Sequence, residues 1–231
     1  MSIPLLEARN VVRSYGRGSS RFIALKGVDL TVQRGERLAI VGRSGSGKST
    51  LMHLLALLDR PTRGEVLLNG EDAAHLSAKA LSRTRNREFG FVFQQFFLMP
   101  NASALENVML PLSIAGVKAS VRKQRAREAL EALDLGPQTM KRATDLSGGQ
   151  KQRVVIARAL VTEPSVIFAD EPTGNLDSAT GAIVEDTLFT LNKENGITIV
   201  LVTHDHELAA RCDRSVHVTD GLLTEAASVA A

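Results

Sequence analysis

A glycine-rich loop that ends in Lys and Ser is the first feature whose residue types could do chemistry. Residues 42–49 fit the pattern G-x-x-x-x-G-K-[ST], in which backbone N–H groups curl around phosphate oxygens. The start of the following helix adds partial positive charge. We expect Lys48 to reach the outer phosphates of a nucleotide and the Ser49 hydroxyl to ligate Mg²⁺. The nucleotide-binding residues predicted here are Gly42, Arg43, Ser44, Gly45, Ser46, Gly47, Lys48, Ser49 and Thr50.

Two carboxylates end an apolar segment in the last third of the chain. Asp170 and Glu171 directly follow the apolar run 166–169. If that run is a parallel strand beside the one before the glycine-rich loop, its carboxyl end lies at the nucleotide. Asp170 is then placed to hold Mg²⁺ through water, and Glu171 to polarise an attacking water molecule. An acid pair in a simple turn is the alternative, and the glycine-rich loop makes it less favoured.

A second glycine motif, residues 146–150, reads Leu-Ser-Gly-Gly-Gln. Alone it would indicate a loop or a helix cap, and at a helix N-terminus it would offer another anion-binding geometry. The glycine-rich loop, this motif and the Asp-Glu pair follow one another in the order found in ABC ATPases. From about residue 5 to residue 223 the chain resembles that family, and residues 146–150 resemble its signature motif.

The resemblance implies an α/β fold: a P-loop NTPase (RecA-like) core with a parallel sheet, an N-terminal antiparallel β subdomain and an inserted α-helical subdomain. The whole chain, 1–231, is then a single ABC ATPase domain. We expect residues 1–96 and 161–231 to form the nucleotide-binding core with its β subdomain. Residues 97–160 are expected to form the helical signature subdomain.

Further site residues are implied by the resemblance alone. Tyr15 falls where the family stacks an aromatic ring on adenine, and His204 resembles the switch histidine that contacts the γ-phosphate. Asp177 ends a segment, 175–177, that resembles the family's loop crossing the interface between two subunits. In the family, the signature motif binds the γ-phosphate of ATP held by the other subunit, which implies this role here for Ser147, Gly148, Gly149 and Gln150.

Gln94 matches the family's glutamine that touches Mg²⁺ and the attacking water and passes closure on to the membrane partner. Gln95 is adjacent, and we favour Gln94 because it directly follows the apolar segment 91–93. The residues predicted to act in catalysis are therefore Glu171, His204, Lys48 and Gln94, and those predicted to act in metal binding are Ser49, Gln94 and Asp170. Lys151 replaces a usual glutamine, and residues 99–103 depart from the family in a region that contacts the permease.

These residues need elements that position them. Short apolar strands alternate with helical patterns in the first and last thirds, which is typical of a parallel sheet covered on both faces. The middle of the chain has helical apolar spacing at Leu105, Val108, Met109 and Leu112, and again at Ala126, Leu130 and Leu133. The second helix also carries Arg122, Lys123, Arg125 and Arg127, either as a solvated face or as a contact for an acidic partner or lipid headgroups.

Composition narrows the classes of protein that remain. The chain has 231 residues, 44% hydrophobic and 23% charged, with a formal net charge of +3. That mild charge does not favour a nucleic-acid partner. We expect a helix that begins near Lys48, and the run 51–58 within it is apolar nearly all round, so it should be buried. This run is too short to span a membrane, so we expect no direct membrane insertion. Cys212 is the only cysteine and is expected to be an ordinary half-buried thiol, and the tail from Ala226 is expected to be frayed.

The leading hypothesis is a Mg-dependent ATPase that drives an ABC transporter through a separate membrane permease. It would lie in the cytoplasm, held at the inner face of the membrane by that permease. It would close around ATP with a second ATPase subunit, either a copy of itself or a related chain. Residues 91–94, 104–108 and 170–177 resemble the corresponding motifs of the lipoprotein-release, macrolide-export and cell-division ATPases. A mechanotransmission ATPase that moves no substrate is therefore the alternative function. A soluble ABC ATPase acting on nucleic acid or ribosomes is disfavoured.

Overall fold

The computed structural model describes residues 3–225, and the tail predicted to be frayed lies outside them. The strands are β1 Leu6–Tyr15, β2 Phe22–Val32, β3 Arg37–Val41, β4 Arg63–Leu68, β5 Glu71–Asp72, β6 Phe89–Phe93, β7 Val166–Asp170, β8 Thr198–Thr203, β9 Arg214–Thr219 and β10 Leu222–Glu225. The helices are α1 Lys48–Leu55, α2 Ala78–Glu88, α3 Ala104–Ile114, α4 Ala119–Glu131, α5 Gly148–Leu160, α6 Ser178–Asn195 and α7 His206–Ala210. Short 3₁₀ turns lie at Gly18–Ser20, Ala73–His75, Gly136–Gln138 and Ala143–Asp145.

The chain divides into two compact units. The first unit contains residues up to Ser82 together with those from Gly196 onward, and the second contains Arg83–Asn195. In the first unit, β2, β1, β4 and β5 form an antiparallel sheet in that order. The pairing of β1 with β2 is broken by shifts in register, which fits the interrupted apolar pattern of this segment. The predicted N-terminal antiparallel β subdomain is therefore confirmed.

The first unit also contains a parallel arrangement of strands around the glycine-rich loop. Strand β3 pairs in parallel with β8 on one side and β9 on the other, and β10 returns antiparallel to β9. Because β3 and β8 are covered on both faces, they read as continuous apolar runs of branched residues. The helix that follows the loop, α1, is buried through Leu51, Met52, Leu54 and Leu55.

The second unit has a parallel strand pair and the helical insertion. Strands β6 and β7 pair in parallel, and stacked phenylalanine rings lie on them, with Phe168 fully buried. Helices α3, α4 and α5 pack on one another. The stripe predicted on α4 is buried at Ala126 and Leu130, and that on α3 at Leu105, Val108 and Leu112. The fold is the predicted α/β type.

Helix α1 is shorter than the sequence predicts. The apolar run 51–58 does not stay helical and buried, because α1 ends at Leu55, Leu57 adopts a positive φ of 54° and Leu58 is 45% exposed.

The basic face predicted on α4 makes contacts within the second unit. Arg122 donates a hydrogen bond to the Ser113 hydroxyl. Arg125 forms an ion pair with Glu163. Part of the basic face therefore serves contacts within the unit.

Two further observations concern Cys212 and the membrane. Burial raises the pKa of the half-buried Cys212 thiol to about 12, as expected for a thiol that packs among core residues. Within residues 3–225, no helix combines the length and the apolar character needed to cross a bilayer.

Candidate functional site

The glycine-rich loop connects β3 to α1 in the first unit, as the sequence predicts. Strand β3 ends at Val41 and α1 begins at Lys48, with Gly47 as its N-cap residue. Gly47 has φ 112°, and a Cβ there would lie 2.7 Å from the carbonyl oxygen of Ala24, so only glycine fits. No side chain caps α1, so its first N–H groups keep their capacity to bind an anion.

Polar groups inside the loop are arranged for a phosphate ligand. The Lys48 ammonium donates a hydrogen bond to the Arg43 carbonyl at 3.0 Å, which holds the side chain back across the loop. The Ser46 hydroxyl is buried and has no hydrogen-bond partner among the described residues. A buried hydroxyl without a partner is costly, so this atom fits a site completed by a polar ligand. The residues present therefore fit a bound nucleotide.

Tyr15 lies at the end of β1 and is 38% exposed. Its hydroxyl donates to Asp59 at 3.0 Å, and the guanidinium carbon of Arg13 lies 4.5 Å from the ring centroid. Arg13 also forms a 2.8 Å ion pair with the same carboxylate. One face of the ring is therefore backed by a cation, and the ring orientation is fixed through its hydroxyl.

His204 follows β8 at the same edge of the sheet as the glycine-rich loop. Val41 pairs with Thr203 in the parallel register, so Gly42 and His204 are the next residues on two neighbouring strands. His204 is exposed, and the following helix begins with Asp205 accepting hydrogen bonds from the N–H groups of Glu207 and Leu208. The histidine is thus held between a buried strand and a capped helix.

In the second unit the parallel register places Gln94 and the carboxylates side by side. Phe93 pairs with Asp170, so Gln94 and Glu171 are the next residues on adjacent strands. Glu171 has φ 46°, a conformation that is rare for a residue with a Cβ. An outlier of this kind at the end of a buried strand needs support from its surroundings, and such strain clusters at functional sites.

Gln94 is paired with the loop that follows Glu171. Its amide nitrogen lies 3.3 Å from the Asn175 side-chain oxygen, and the Asn175 amide donates to the Gln94 carbonyl at 2.8 Å. The two amides therefore hold the end of β6 against the loop that leads to Asp177. Gln95 shows no such exchange among the hydrogen bonds of the described residues.

The signature residues begin α5, as the sequence predicts. Ser147 is the N-cap residue, and its hydroxyl accepts a hydrogen bond from the Gln150 N–H at 3.3 Å. The Gln150 side chain in turn accepts from the Ser147 N–H at 3.1 Å, which completes a capping box. This local exchange defines where the helix begins and which N–H groups its first turn presents.

A groove of about 470 Å³ lies at the start of α5 within the second unit. Hydrogen bonds from the Thr180 backbone and hydroxyl lower the pKa of Asp177, so its carboxylate stays ionised there. A Cβ on Gly149 would lie 2.5 Å from the Thr180 methyl carbon, so α5 and α6 approach this closely only with glycine. The lining residues are Asp134, Ser147, Gly148, Gly149, Gln150, Arg153, Asn175, Leu176, Asp177, Thr180, Ile183 and Val184.

The predicted residues therefore fall into two groups. The first unit holds Tyr15, residues 42–50 and His204, and the second unit holds Gln94, Asp170, Glu171, Ser147–Gln150 and Asp177. Arg13 and Asp59, which support Tyr15, were missed by the sequence reasoning. Arg13 could have been found, because residues two apart on a strand share a face. Asp59 gave no comparable signal.

Comparison with known proteins agrees with this geometry. Residues 25–174 match the ABC transporter family. The chain is 49% identical to the lipoprotein-releasing system ATP-binding protein LolD of Alcanivorax borkumensis, over 96% of this chain and 97% of that protein. It is 46% identical to the uncharacterized ABC transporter ATP-binding protein YbbA of Escherichia coli K12, over 96% and 98% respectively. The ATP-binding cassette MJ0796, solved as a dimer in a post-hydrolysis state with ADP and Pi, superposes with a TM-score of 0.89 at 40% identity, covering 98% of this chain and 99% of that one.

The match covers well over half of the chain and includes the glycine-rich loop, the signature residues and the Asp-Glu pair. The chain therefore belongs to the ABC transporter family, as an ATP-binding subunit that hydrolyses ATP. The predicted resemblance, fold class and ATPase activity are confirmed, and ATP is its nucleotide.

Proposed function

We propose that the chain is the motor subunit of a transporter, in which ATP closes two cassettes and drives a separate membrane permease. The observation that carries this proposal is the groove at the start of α5, where Ser147 and two glycines face Asp177 and Thr180. The first amides of a helix attract anions. The start of α5 is a phosphate-binding helix start in addition to the glycine-rich loop, and a second such element suits an ATP held by a second copy, as the dimer of the MJ0796 cassette supports.

The glycine-rich loop would hold the phosphates through its amides and Lys48, and Tyr15 would stack on adenine. The uncapped start of α1 and the Ser46 hydroxyl without a partner support this placement. His204 would contact the γ-phosphate, because it leaves the strand that neighbours the loop.

Mg²⁺ is proposed to bind through Ser49, Asp170 and Gln94, together with phosphate oxygens and water. All three side chains supply oxygen, the ligand that Mg²⁺ prefers, and this ion keeps several waters when it binds a nucleotide. Residues 3–225 contain no cluster of three or more His, Cys, Asp or Glu that could hold a metal, and this mode of binding needs none. When bound, the ion would offset negative charge on the transferred phosphoryl group.

Glu171 is proposed as the general base that takes a proton from the attacking water, with Gln94 orienting that water. The register that sets these two residues side by side supports the pairing of roles. Positioned acid-base groups typically contribute 10²- to 10⁴-fold to a rate, which is roughly the loss expected when Glu171 is replaced.

The partners are proposed to be a second ATPase subunit, with two copies of this chain as the simplest case, and an integral membrane permease. The MJ0796 cassette was solved as a dimer, and LolD is named as part of a lipoprotein-releasing system. Phe97 and Met99 are exposed by 64% and 37%, which supports a protein contact there. We place the chain at the inner face of the membrane, in the cytoplasm, and expect no nucleic-acid partner.

The variant Glu171→Gln tests the proposed chemistry. The amide cannot take up a proton at neutral pH, so we expect kcat for ATP hydrolysis to fall by at least 100-fold while ATP still binds. The measurements are steady-state phosphate release and equilibrium binding of ATP, with size-exclusion chromatography to detect an ATP-dependent dimer. Lys48→Ala is the contrasting variant and should weaken ATP binding itself. Hydrolysis by Glu171→Gln at a near wild-type rate would show that Glu171 is not the base.

A further inference from the structure

Gln152 is a buried polar residue on the helix that carries the signature motif. It is 0% exposed, and its amide nitrogen donates a hydrogen bond to the Pro172 carbonyl at 2.6 Å. Its side-chain oxygen is also buried and accepts no hydrogen bond from any described group. Burying an amide with half of its hydrogen-bonding capacity unused is unfavourable. An apolar side chain would fill the same space without that loss.

The carbonyl that Gln152 holds belongs to the residue directly after Glu171. Proline has no N–H and a fixed φ, so its carbonyl is the one backbone group of Pro172 that can be anchored by a hydrogen bond. On the other side of the turn, the Gly174 N–H donates to the Glu171 carbonyl at 3.1 Å. Glu171 itself adopts the left-handed conformation with φ 46°. Two hydrogen bonds thus brace a turn whose first residue is conformationally strained.

The same helix connects this brace to the signature motif. Gln152 lies five residues after Ser147, which is roughly 7.5 Å along the axis at the usual rise per residue. Between them the helix is continuous, and its start is fixed by the capping box of Ser147 and Gln150. Val155, Ile156 and Ala159 continue the buried stripe that begins at Gln152. The start of α5 and the Pro172 carbonyl are therefore joined through one short rigid element.

We propose that Gln152 is a positioning residue that holds the Glu171 carboxylate in its reactive orientation through the Pro172 carbonyl. The inference rests on the proposed role of Glu171 and deepens it. A shift at the start of α5, where the signature residues meet the nucleotide of the second copy, is passed to the turn after Glu171 through this hydrogen bond. Hydrolysis in one copy thereby depends on the engagement of its own signature helix with the other copy.

Two variants of the full chain separate positioning from simple filling of the core. Gln152→Met keeps the length of the side chain and removes the donor, so we expect kcat to fall tenfold or more while KM for ATP stays within twofold. Gln152→Glu can donate only when its buried carboxyl is protonated, and burial favours that form. The ratio of its kcat to the wild-type kcat at the same pH should therefore approach one at lower pH and fall as pH rises. Lys151→Met, next along the same helix, is the matched control and should stay within twofold of wild type.

The outcomes are distinct. A wild-type kcat for Gln152→Met overturns the inference. A parallel loss of melting temperature, kcat and ATP affinity, without that change with pH in the kcat ratio of Gln152→Glu, also overturns it, because that is the pattern of a packing residue. If Gln152→Met does not fold, the pH profile of Gln152→Glu decides the question alone. Glu171→Gln is run in the same assay: if it hydrolyses ATP normally, the proposed function fails, whereas an inactive Glu171→Gln beside a normal Gln152→Met makes only this inference fail.

Discussion

Tyr15 illustrates how a single site residue depends on partners that lie at different distances along the chain. Its position near the end of β1 follows from local strand pattern and family resemblance. Its orientation depends on Asp59, which is 44 positions away and reaches the tyrosine hydroxyl only once the sheet has formed. The sequence could therefore predict the aromatic ring but not the carboxylate that orients it, because no local pattern encodes that pairing.

At this scale we predict that Arg13→Ala weakens ATP binding by about two- to fivefold. The guanidinium backs the Tyr15 ring, and an exposed cation–π contact is worth roughly 0.5–1 kcal/mol, which corresponds to that range. Isothermal titration with ATP measures the change. Arg9→Ala is the matched control on the same strand, since Arg9 pairs with Glu7 and not with the ring. An unchanged affinity for Arg13→Ala would contradict a role for Arg13 in ATP binding through the Tyr15 ring.

Helix α5 holds the backbone of two other segments of the second unit through its side chains. Gln152 donates a hydrogen bond to the Pro172 carbonyl. Arg158 donates to the carbonyls of Phe96 and Phe97, which lie just after Gln94 in the chain. Burial lowers the pKa of Arg158 because the cation has lost water. The two backbone carbonyls partly replace that water. One helix therefore supports both the loop after β6 and the turn after Glu171.

Packing of this helix gives a steric prediction. Gly149→Ala should lower the free energy of unfolding by about 1–3 kcal/mol, because the new methyl group overlaps the Thr180 methyl carbon. Thr180→Ser removes that methyl and keeps a hydroxyl for Asp177. Denaturant unfolding of both single variants and of the double variant measures the coupling. If Thr180→Ser fails to restore stability to Gly149→Ala, the overlap is not the cause.

The elements also show where sequence patterns stop being informative. The start of α1 at Lys48 was predicted, since the loop motif fixes it locally. Its end at Leu55 was not, because the run of apolar residues reports burial rather than backbone conformation. Leu57 is still buried although the helix has ended, and its positive φ cannot be predicted from the hydropathy of the sequence.

At the scale of the whole molecule, parallel pairing explains why short motifs could indicate which candidate site residues lie next to one another. Residues that follow parallel strands share an edge of the sheet, so the register of each pair places Gly42 beside His204, and Gln94 beside Glu171. The expected neighbour of the loop strand was wrong, because β3 pairs with β8 and β9 and not with the strand that ends at Asp170. The buried contact of Gln152 with Pro172 joins residues 20 positions apart, and no sequence motif predicts it. Its one signal was a polar residue inside an apolar helical stripe.

The proposed contact with the membrane permease can be tested at the exposed residues Phe97 and Met99. Replacing both Phe97 and Met99 by Ser should reduce recovery of the membrane partner severalfold, because two exposed apolar side chains are lost from the proposed contact. The measurement is quantitative pull-down from native membranes in mild detergent, with ATP and Mg²⁺, in the Glu171→Gln background. Leu222→Ser, an exposed apolar position on β10, is the control. Undiminished recovery would place the contact elsewhere, and recovery of only soluble proteins or nucleic acid would contradict the transporter.

The fully buried Asn107 holds both backbone groups of Met99: its oxygen accepts from the N–H at 2.8 Å, and its amide donates to the carbonyl at 3.2 Å. The backbone at Met99 is thus held by a residue of α3, while Met99 itself is 37% exposed. Substitutions at the exposed position can then accumulate without disturbing the backbone. A duplicated gene could acquire a different permease through such changes alone, and keep its ATPase machinery intact.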